Sequence, residues 1–166
     1  MEDVVSSLGS VRHRLSDILS LFTEDEANSE TFTGHPYTLA DIVVHIQEYE
    51  IATARHVLSV LASSPHDGDD PTPAELKTLV IGNDEAVRPA GQHLAINRLI
   101  DVLDIARFGH LQRVFNEARV SELAAKRTTL FGDVSISLKA ALDTIWIHEL
   151  HHVDQIQALS RAAHTS

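Results

Sequence analysis

Four long segments of this chain carry apolar residues at alternating steps of three and four, which places them on one face of an α-helix. In the first segment these residues are Val4, Leu8, Val11, Leu15, Ile18 and Phe22. No part of the chain shows a convincing β-strand pattern. The sequence therefore predicts an all-α protein whose long helices bury their apolar faces against one another.

A long link separates the second predicted helix from the third. The second helix begins at Thr38, whose hydroxyl can cap free backbone N–H groups, and it ends at Ser63. The link that follows contains a short helix, which starts at Thr72-Pro73-Ala74-Glu75 with a cap, a proline and a capping-box glutamate. A connection of this length can cross a whole bundle, so the second and third helices can run parallel.

The third and fourth long helices complete the predicted bundle. The third runs from about Gln92 to Ala118, and its main apolar residues are Leu94, Leu99, Leu103, Phe108, Leu111 and Phe115. The fourth starts between Ser135 and Ser137 and continues to about Arg161. We expect one domain over residues 1–166, a four-helix bundle with a long crossover between helices two and three.

Composition and charge exclude several kinds of site and partner. The chain has no cysteine, so any metal must be held by nitrogen and oxygen ligands. Its formal net charge of -11 argues against nucleic-acid binding, which needs a basic surface. The sequence shows neither a membrane-spanning run nor a targeting segment, so we expect a cytoplasmic protein.

Two histidines interrupt the apolar face of the fourth helix. The predicted core-facing residues are Leu138, Ala141, Ile145, His148, His152, Ile156 and Leu159. Side chains four residues apart project from one face, and two imidazoles at this spacing can chelate one metal ion. A shared ion would give each buried ring a partner, which two ordinary core histidines would each have to find separately.

His45 is the candidate third ligand, because it lies between Ile42 and Tyr49 on the inward face of the second helix. A single histidine in such a place is more often an ordinary core residue. Three imidazoles with open positions are typical of a catalytic metal site. His151 is an alternative to His152, although it lies off the core-facing line.

Two glutamates next to these histidines have open roles. Glu149 follows His148 and is the candidate catalytic residue, as a general base or as a hydrogen-bond partner of a ligand. It can equally be a surface or rim charge. Glu48, one turn after His45, has the same ambiguity, with the surface role favoured.

Two segments of the chain resemble the DinB-like/YfiT-like metalloprotein superfamily. They are Tyr37-Thr38-Leu39-Ala40-Asp41-Ile42-Val43-Val44-His45 and the later His148-Glu149-Leu150-His151-His152-Val153-Asp154-Gln155-Ile156. That family pairs a histidine on helix two with H-x-x-x-H on the last long helix, often followed by glutamine, here Gln155. The resemblance implies an up-down-down-up bundle in which His45, His148 and His152 bind a divalent metal ion.

The resemblance also implies a function. The family includes thiol-dependent transferases and isomerases and proposed hydrolases, so we expect a metal-dependent enzyme that activates water or a substrate thiolate. The ligand types allow zinc, nickel, iron or manganese. A small-molecule substrate, a low-molecular-weight thiol and a homodimer are further expectations. Arg55, Arg98 and Arg107 are candidates to hold an anionic thiol. Trp146 and Ile147 suit either a dimer contact or packing on the third helix.

Two other functions compete with this one. His148-Glu149-Leu150-His151-His152 matches H-E-x-x-H, the zinc-protease helix. Those proteases normally take a third ligand from downstream, where His164 is the sole histidine, and they use a sheet edge that this sequence does not predict. The other alternative is a metal-binding stress-response module without turnover.

Overall fold

The computed structural model of the chain describes residues 2–30, 36–63, 68–84, 87 and 93–164. These residues are mostly helical, as an all-α class requires. The helices are α1 (Glu2–Leu19), α2 (Glu24–Ala27), α3 (Leu39–Val60), α4 (Pro73–Gly82), α5 (Ile96–Ala106), α6 (Gln112–Glu117), α7 (Val120–Ala125) and α8 (Leu138–His164). A π-helical turn, Arg107–Leu111, joins α5 to α6, and a hairpin of β1 (Arg127–Phe131) and β2 (Val134–Ser137) precedes α8.

Helix α8 is the central element of the packing. It lies against α1, α3 and α4, and α3 also packs on α5. The six apolar residues predicted for the first helical segment are all buried, as are all but the last of those predicted for the core-facing line of α8. Among the described residues, no helix combines the length and hydropathy that crossing a membrane would require.

The start of α3, the helix that carries His45, is fixed by a reciprocal pair of hydrogen bonds. The Asp41 backbone N–H donates to Thr38 Oγ1 at 3.1 Å, and the Thr38 backbone N–H donates to Asp41 Oδ2 at 2.7 Å. This is the capping role predicted for Thr38, with the Asp41 side chain closing the box. The box at the start of α4, predicted at Thr72 and Glu75, is also confirmed.

The prediction that no segment forms a strand is wrong, because β1 and β2 pair as an antiparallel hairpin. Gly132 has φ +60° and Asp133 has a negative φ, the combination found in a two-residue type II′ turn. The β-branched pair Thr128 and Ile136 lies opposite across the strands. Helix α8 therefore begins at Leu138, after the predicted starts at Ser135 to Ser137, which belong to β2.

The third predicted helix is interrupted by the π turn. Its predicted start at Gln92 lies outside the described residues, and α5 begins at Ile96. At the end of the turn the Gln112 backbone N–H donates to the Arg107 carbonyl, five residues back. The extra residue rotates the chain about its axis. Of the apolar residues of this predicted helix, Phe108 is 69% exposed, whereas Leu111 is fully buried.

The residues suggested for a dimer contact belong to the core of the chain itself. Ile147 is only 4% exposed. The partly buried Trp146 packs against apolar residues of the core, and its Nε1 donates to Asp143 Oδ1 at 3.0 Å. The suggestion that Ile147 forms a dimer surface is therefore wrong.

Two arginines and two glutamates form a buried quartet that joins α1, α3, the π turn and α8. Arg12 donates from Nε to Glu149 Oε1 at 2.6 Å and from Nη2 to Glu50 Oε2 at 2.8 Å. Arg107 donates to both oxygens of Glu50, at 2.7 and 3.0 Å, and to Glu149 Oε2 at 2.9 Å. Its remaining Nη1 donates to the Leu8 carbonyl at 2.9 Å.

The quartet is formally neutral, so the attraction between its opposite charges offsets the cost of removing them from water. Both glutamates have fully buried side chains, and those of Arg12 and Arg107 are 11% and 14% exposed. Burial alone would lower the pKa of Arg107, but the hydrogen bonds and charges of Glu50 and Glu149 outweigh it and raise that pKa. Removing any one member would leave a buried charge without its partner.

Replacing the cap of α3 tests the local prediction. We expect Thr38→Ala to lower the free energy of unfolding by about 1 kcal/mol, because the first turn loses an N–H acceptor. Thr78→Ala is the matched control, since Thr78 is exposed within α4 and bonds only to the Ala74 carbonyl of its own helix. Urea denaturation of both variants measures the difference, and equal losses would contradict the capping role.

Breaking the quartet should cost far more than breaking a surface pair. We expect Glu149→Ala to lower the free energy of unfolding by about 3–5 kcal/mol, because two buried arginines lose a partner. Glu117→Ala removes an exposed partner of Arg113 and should change stability little. Denaturant melts compare the two, and a Glu149→Ala protein as stable as Glu117→Ala would refute the structural role of the quartet.

Candidate metal centre

The three histidines predicted as ligands converge on one point between α3 and α8. His45 Nε2 lies 3.1 Å from His148 Nε2, and His148 Nε2 lies 3.1 Å from His152 Nε2. His148 and His152 are each only 1% exposed, and His45 is 12% exposed. One turn of α8 therefore supplies two imidazoles, and the inward face of α3 supplies the third.

Asp84 completes the cluster, and the sequence analysis missed it. Its Oδ1 lies 2.9 Å from His148 Nε2 and 3.0 Å from His45 Nε2, and its Oδ2 lies 3.4 Å from His152 Nε2. Asp84 belongs to the link after α4, where no periodic pattern indicates which side chains point inward. The one local signal is that α4 ends just before Asp84: the Asn83 Nδ2 donates to the Leu79 carbonyl at 2.8 Å at the end of the helix.

The spacing of these atoms fits a single divalent ion. The ligand atoms of His45, Asp84, His148 and His152 all lie within 4.8 Å of one another. Two nitrogens that bind one zinc ion tetrahedrally at about 2.0–2.1 Å are about 3.3 Å apart, close to the separations found here. Imidazole nitrogens with one carboxylate also suit nickel, iron and manganese. The residues present therefore fit the metal site that the sequence predicted.

Burial keeps His148 in the form that binds metal. Desolvation lowers the pKa of His148 to about 4, although Asp84 beside it acts in the opposite direction. The ring is thus neutral near neutral pH, with a lone pair for an ion. The Tyr49 ring stacks on it at 3.9 Å with planes 13° apart, and burial raises the pKa of Tyr49 to about 12.

Asp84 is ionised in this cluster. Burial alone would raise its pKa, but the contacts with the ring nitrogens of His148, His152 and His45 outweigh the burial and hold the pKa well below its usual range. The cluster thus combines three imidazoles and a carboxylate, and the carboxylate oxygens of Asp84 lie at about hydrogen-bond distance from the ring nitrogens. A cation at their centre would be attracted by all four.

Gln155 orients the ring of His152. Gln155 Oε1 lies 2.8 Å from His152 Nδ1, where it can accept the ring proton and leave Nε2 free to bind. The Gln155 amide nitrogen, Nε2, lies 3.3 Å from His151 Nε2. His151 is half-buried and outside the four-residue cluster, so the structure brings His152 to the centre, as the core-facing line predicted.

Glu149, the catalytic candidate, is a member of the buried quartet. Its Oε1 accepts from Arg12 and its Oε2 from Arg107. Both oxygens of the Glu149 carboxylate are therefore used in ion pairs inside the protein. This is a structural role, and it gives no support to Glu149 as a general base. The H-E-x-x-H protease reading loses support with it, because that mechanism needs the glutamate at the metal.

A pocket of about 550 Å³ adjoins the cluster, within the usual size of small-molecule sites. Helix α3 forms one wall, the tip of the hairpin forms another, and Asn83 lies at the end of α4. The lining residues are His45, Glu48, Tyr49, Ala52, Thr53, His56, Asn83, Leu130, Phe131 and Gly132. His45 is thus shared between the pocket and the four-residue cluster of candidate metal ligands.

The arginines suggested for an anionic thiol do not line this pocket. Arg107 is committed to the buried quartet. Arg98 is exposed and pairs with Asp101, and Arg55 is exposed on α3. The described part of the pocket wall therefore has no arginine or lysine.

Comparison of the chain with models of known protein families, with curated proteins and with solved structures finds no match. The resemblance to the DinB-like/YfiT-like superfamily thus remains a prediction that rests on the spacing of His45, His148, His152 and Gln155.

Proposed function

We propose that this protein is a DinB-like metal-dependent enzyme, a hydrolase or thiol-dependent transferase that acts on a small molecule. The proposal includes the up-down-down-up four-helix bundle of that family. The observation that carries it is the convergence of three histidine Nε2 atoms and one carboxylate beside a pocket of about 550 Å³. A buried ligand set next to a substrate-sized pocket is the usual arrangement of a metal-dependent active site.

Each residue of the cluster has a separate task in this proposal. His148 and His152 form the buried base of the site, and His45 closes it on the side of the pocket. A divalent ion held there would supply a Lewis acid that lowers the pKa of a water or thiol. Asp84, ionised beside all three rings, would accept a proton or provide a further ligand.

Asp84 also favours a second candidate function, a metal-binding protein without turnover. Three imidazoles and one carboxylate would fill a tetrahedral zinc site, and closed four-ligand sites are the structural type. Ions that take five or six ligands would keep positions open for substrate. The two functions therefore differ in whether a bound ion can still accept a molecule from the pocket.

Metal content tests the site directly. We expect the protein, purified without a nickel column, to carry about one divalent ion per chain in elemental analysis. His148→Ala should reduce that content about tenfold or more, because a buried ligand is lost, whereas His151→Ala should retain it. Full metal stoichiometry in His148→Ala would contradict the assignment.

Activity screening of the same metal-loaded samples separates the two candidates. Turnover of ester or amide substrates would support the hydrolase, and thiol transfer would support the transferase. Stoichiometric metal without either activity would favour the binding protein. Cleavage of peptides would instead support a zinc-protease function.

The contact between Gln155 and His152 predicts a smaller effect. We expect Gln155→Leu to weaken metal affinity about tenfold, because the ring of His152 loses the acceptor that sets its orientation. Gln155→Glu retains an acceptor and should restore most of the affinity. Gln157→Leu is the control on the same helix, since Gln157 contacts Arg14 at 2.6 Å. Competition with a chelator measures all three, and equal affinity in Gln155→Leu and the wild type would contradict the orienting role.

A further inference from the structure

Helix α3 arranges one wall of the pocket as a continuous strip beside the metal cluster. His45 is three or four residues from Glu48 and Tyr49, and Ala52 is four or three residues from the same two, so the four side chains share one face of the helix. His45 contributes to the cluster at one end. A molecule that occupies the pocket would therefore extend from His45 along α3, past Glu48.

Glu48 is the one fully charged side chain in the described pocket wall. It is exposed, and it forms no ion pair or hydrogen bond with another described residue. The other polar groups of the wall belong to neutral or weakly basic residues, among them Thr53, His56 and Asn83. His56 is already engaged, because its Nε2 contacts Thr128 Oγ1 of the hairpin. Glu48 therefore gives the described part of the pocket wall a negative charge.

The hairpin side of the pocket is apolar, because Leu130 and Phe131 line the pocket at the tip of the hairpin. Phe131 itself is 8% exposed, so it is held in the core and offers a fixed surface. This wall would pack against carbon atoms of a ligand and bury them from water.

We propose that this pocket binds small molecules that carry a protonated amine at Glu48 and an apolar group against the hairpin tip. The proposal rests on the proposed metal-dependent function, in which the reacting group lies at His45. Neighbours three residues apart on a helix are about 5–6 Å from each other, so a spacer of two or three carbons would separate the amine from that group. An anionic thiol would instead meet the carboxylate of Glu48.

Two molecules of equal size and opposite charge test this preference. In 2-phenylethylamine and 3-phenylpropionate, two carbons join a phenyl ring to an amine or a carboxylate, and 2-phenylethanol is the neutral counterpart of both. Titration of the ¹⁵N-labelled full-length protein, followed by NMR, gives the three affinities. We expect the amine to bind about fivefold more tightly than the alcohol, the upper end for an exposed ion pair, and the carboxylate to bind most weakly.

Substitution of Glu48 identifies the group responsible. Glu48→Gln should abolish the preference for the amine over the alcohol and leave the affinity for the alcohol unchanged. Glu117→Gln, which removes a carboxylate paired with Arg113 elsewhere on the surface, should leave all three affinities as they are. Tighter binding of the carboxylate, or an amine preference that survives in Glu48→Gln, would overturn the proposal.

Metal analysis of the NMR samples separates this proposal from the proposed function. An amine preference that depends on Glu48, in protein that binds no metal, would overturn the metal-dependent function and support the pocket assignment. Stoichiometric metal without an amine preference would support the function and overturn the pocket assignment.

Discussion

The arrangement of the helices around the candidate metal ligands depends on the buried quartet of Arg12, Glu50, Arg107 and Glu149. Glu149 follows His148 in the chain, and Glu50 follows Tyr49, whose ring stacks on His148. Any sliding of α3 along α8 would break ion pairs that have no water to replace them. The charges that hold the helices in register are thus adjacent in sequence to the rings that form the site.

The cluster and the quartet satisfy the same electrostatic rule by different means. In the quartet, positive and negative side chains balance within the protein, so no further ion is needed. In the cluster, Asp84 is negative and His148 is neutral, and the described residues beside them supply no arginine or lysine. The first arrangement is complete without a ligand, and the second has the charge and the donor atoms that a metal ion would complement.

Periodic patterns in the sequence predicted what lies on helices and failed where the chain leaves them. His45, His148 and His152 were identified because they occupy positions on α3 and α8 where apolar residues are expected. Asp84 was missed because a side chain in a link is directed by the whole fold and by no local repeat. The hairpin was missed because its strands are short, although the Gly132-Asp133 turn and the β-branched residues beside it were visible signals.

The π turn determines which side chains after α5 reach the core. In a regular helix Leu111 would lie about 120° around the axis from the buried Leu99, and the sequence offers no mark of the additional residue that brings Leu111 inward. The turn also includes Arg107, whose guanidinium enters the quartet. What this stretch must preserve is its residue count as much as its composition. A segment with one residue fewer, even if every apolar residue were retained, would turn Leu111 by about 100° around the helix axis and away from the core.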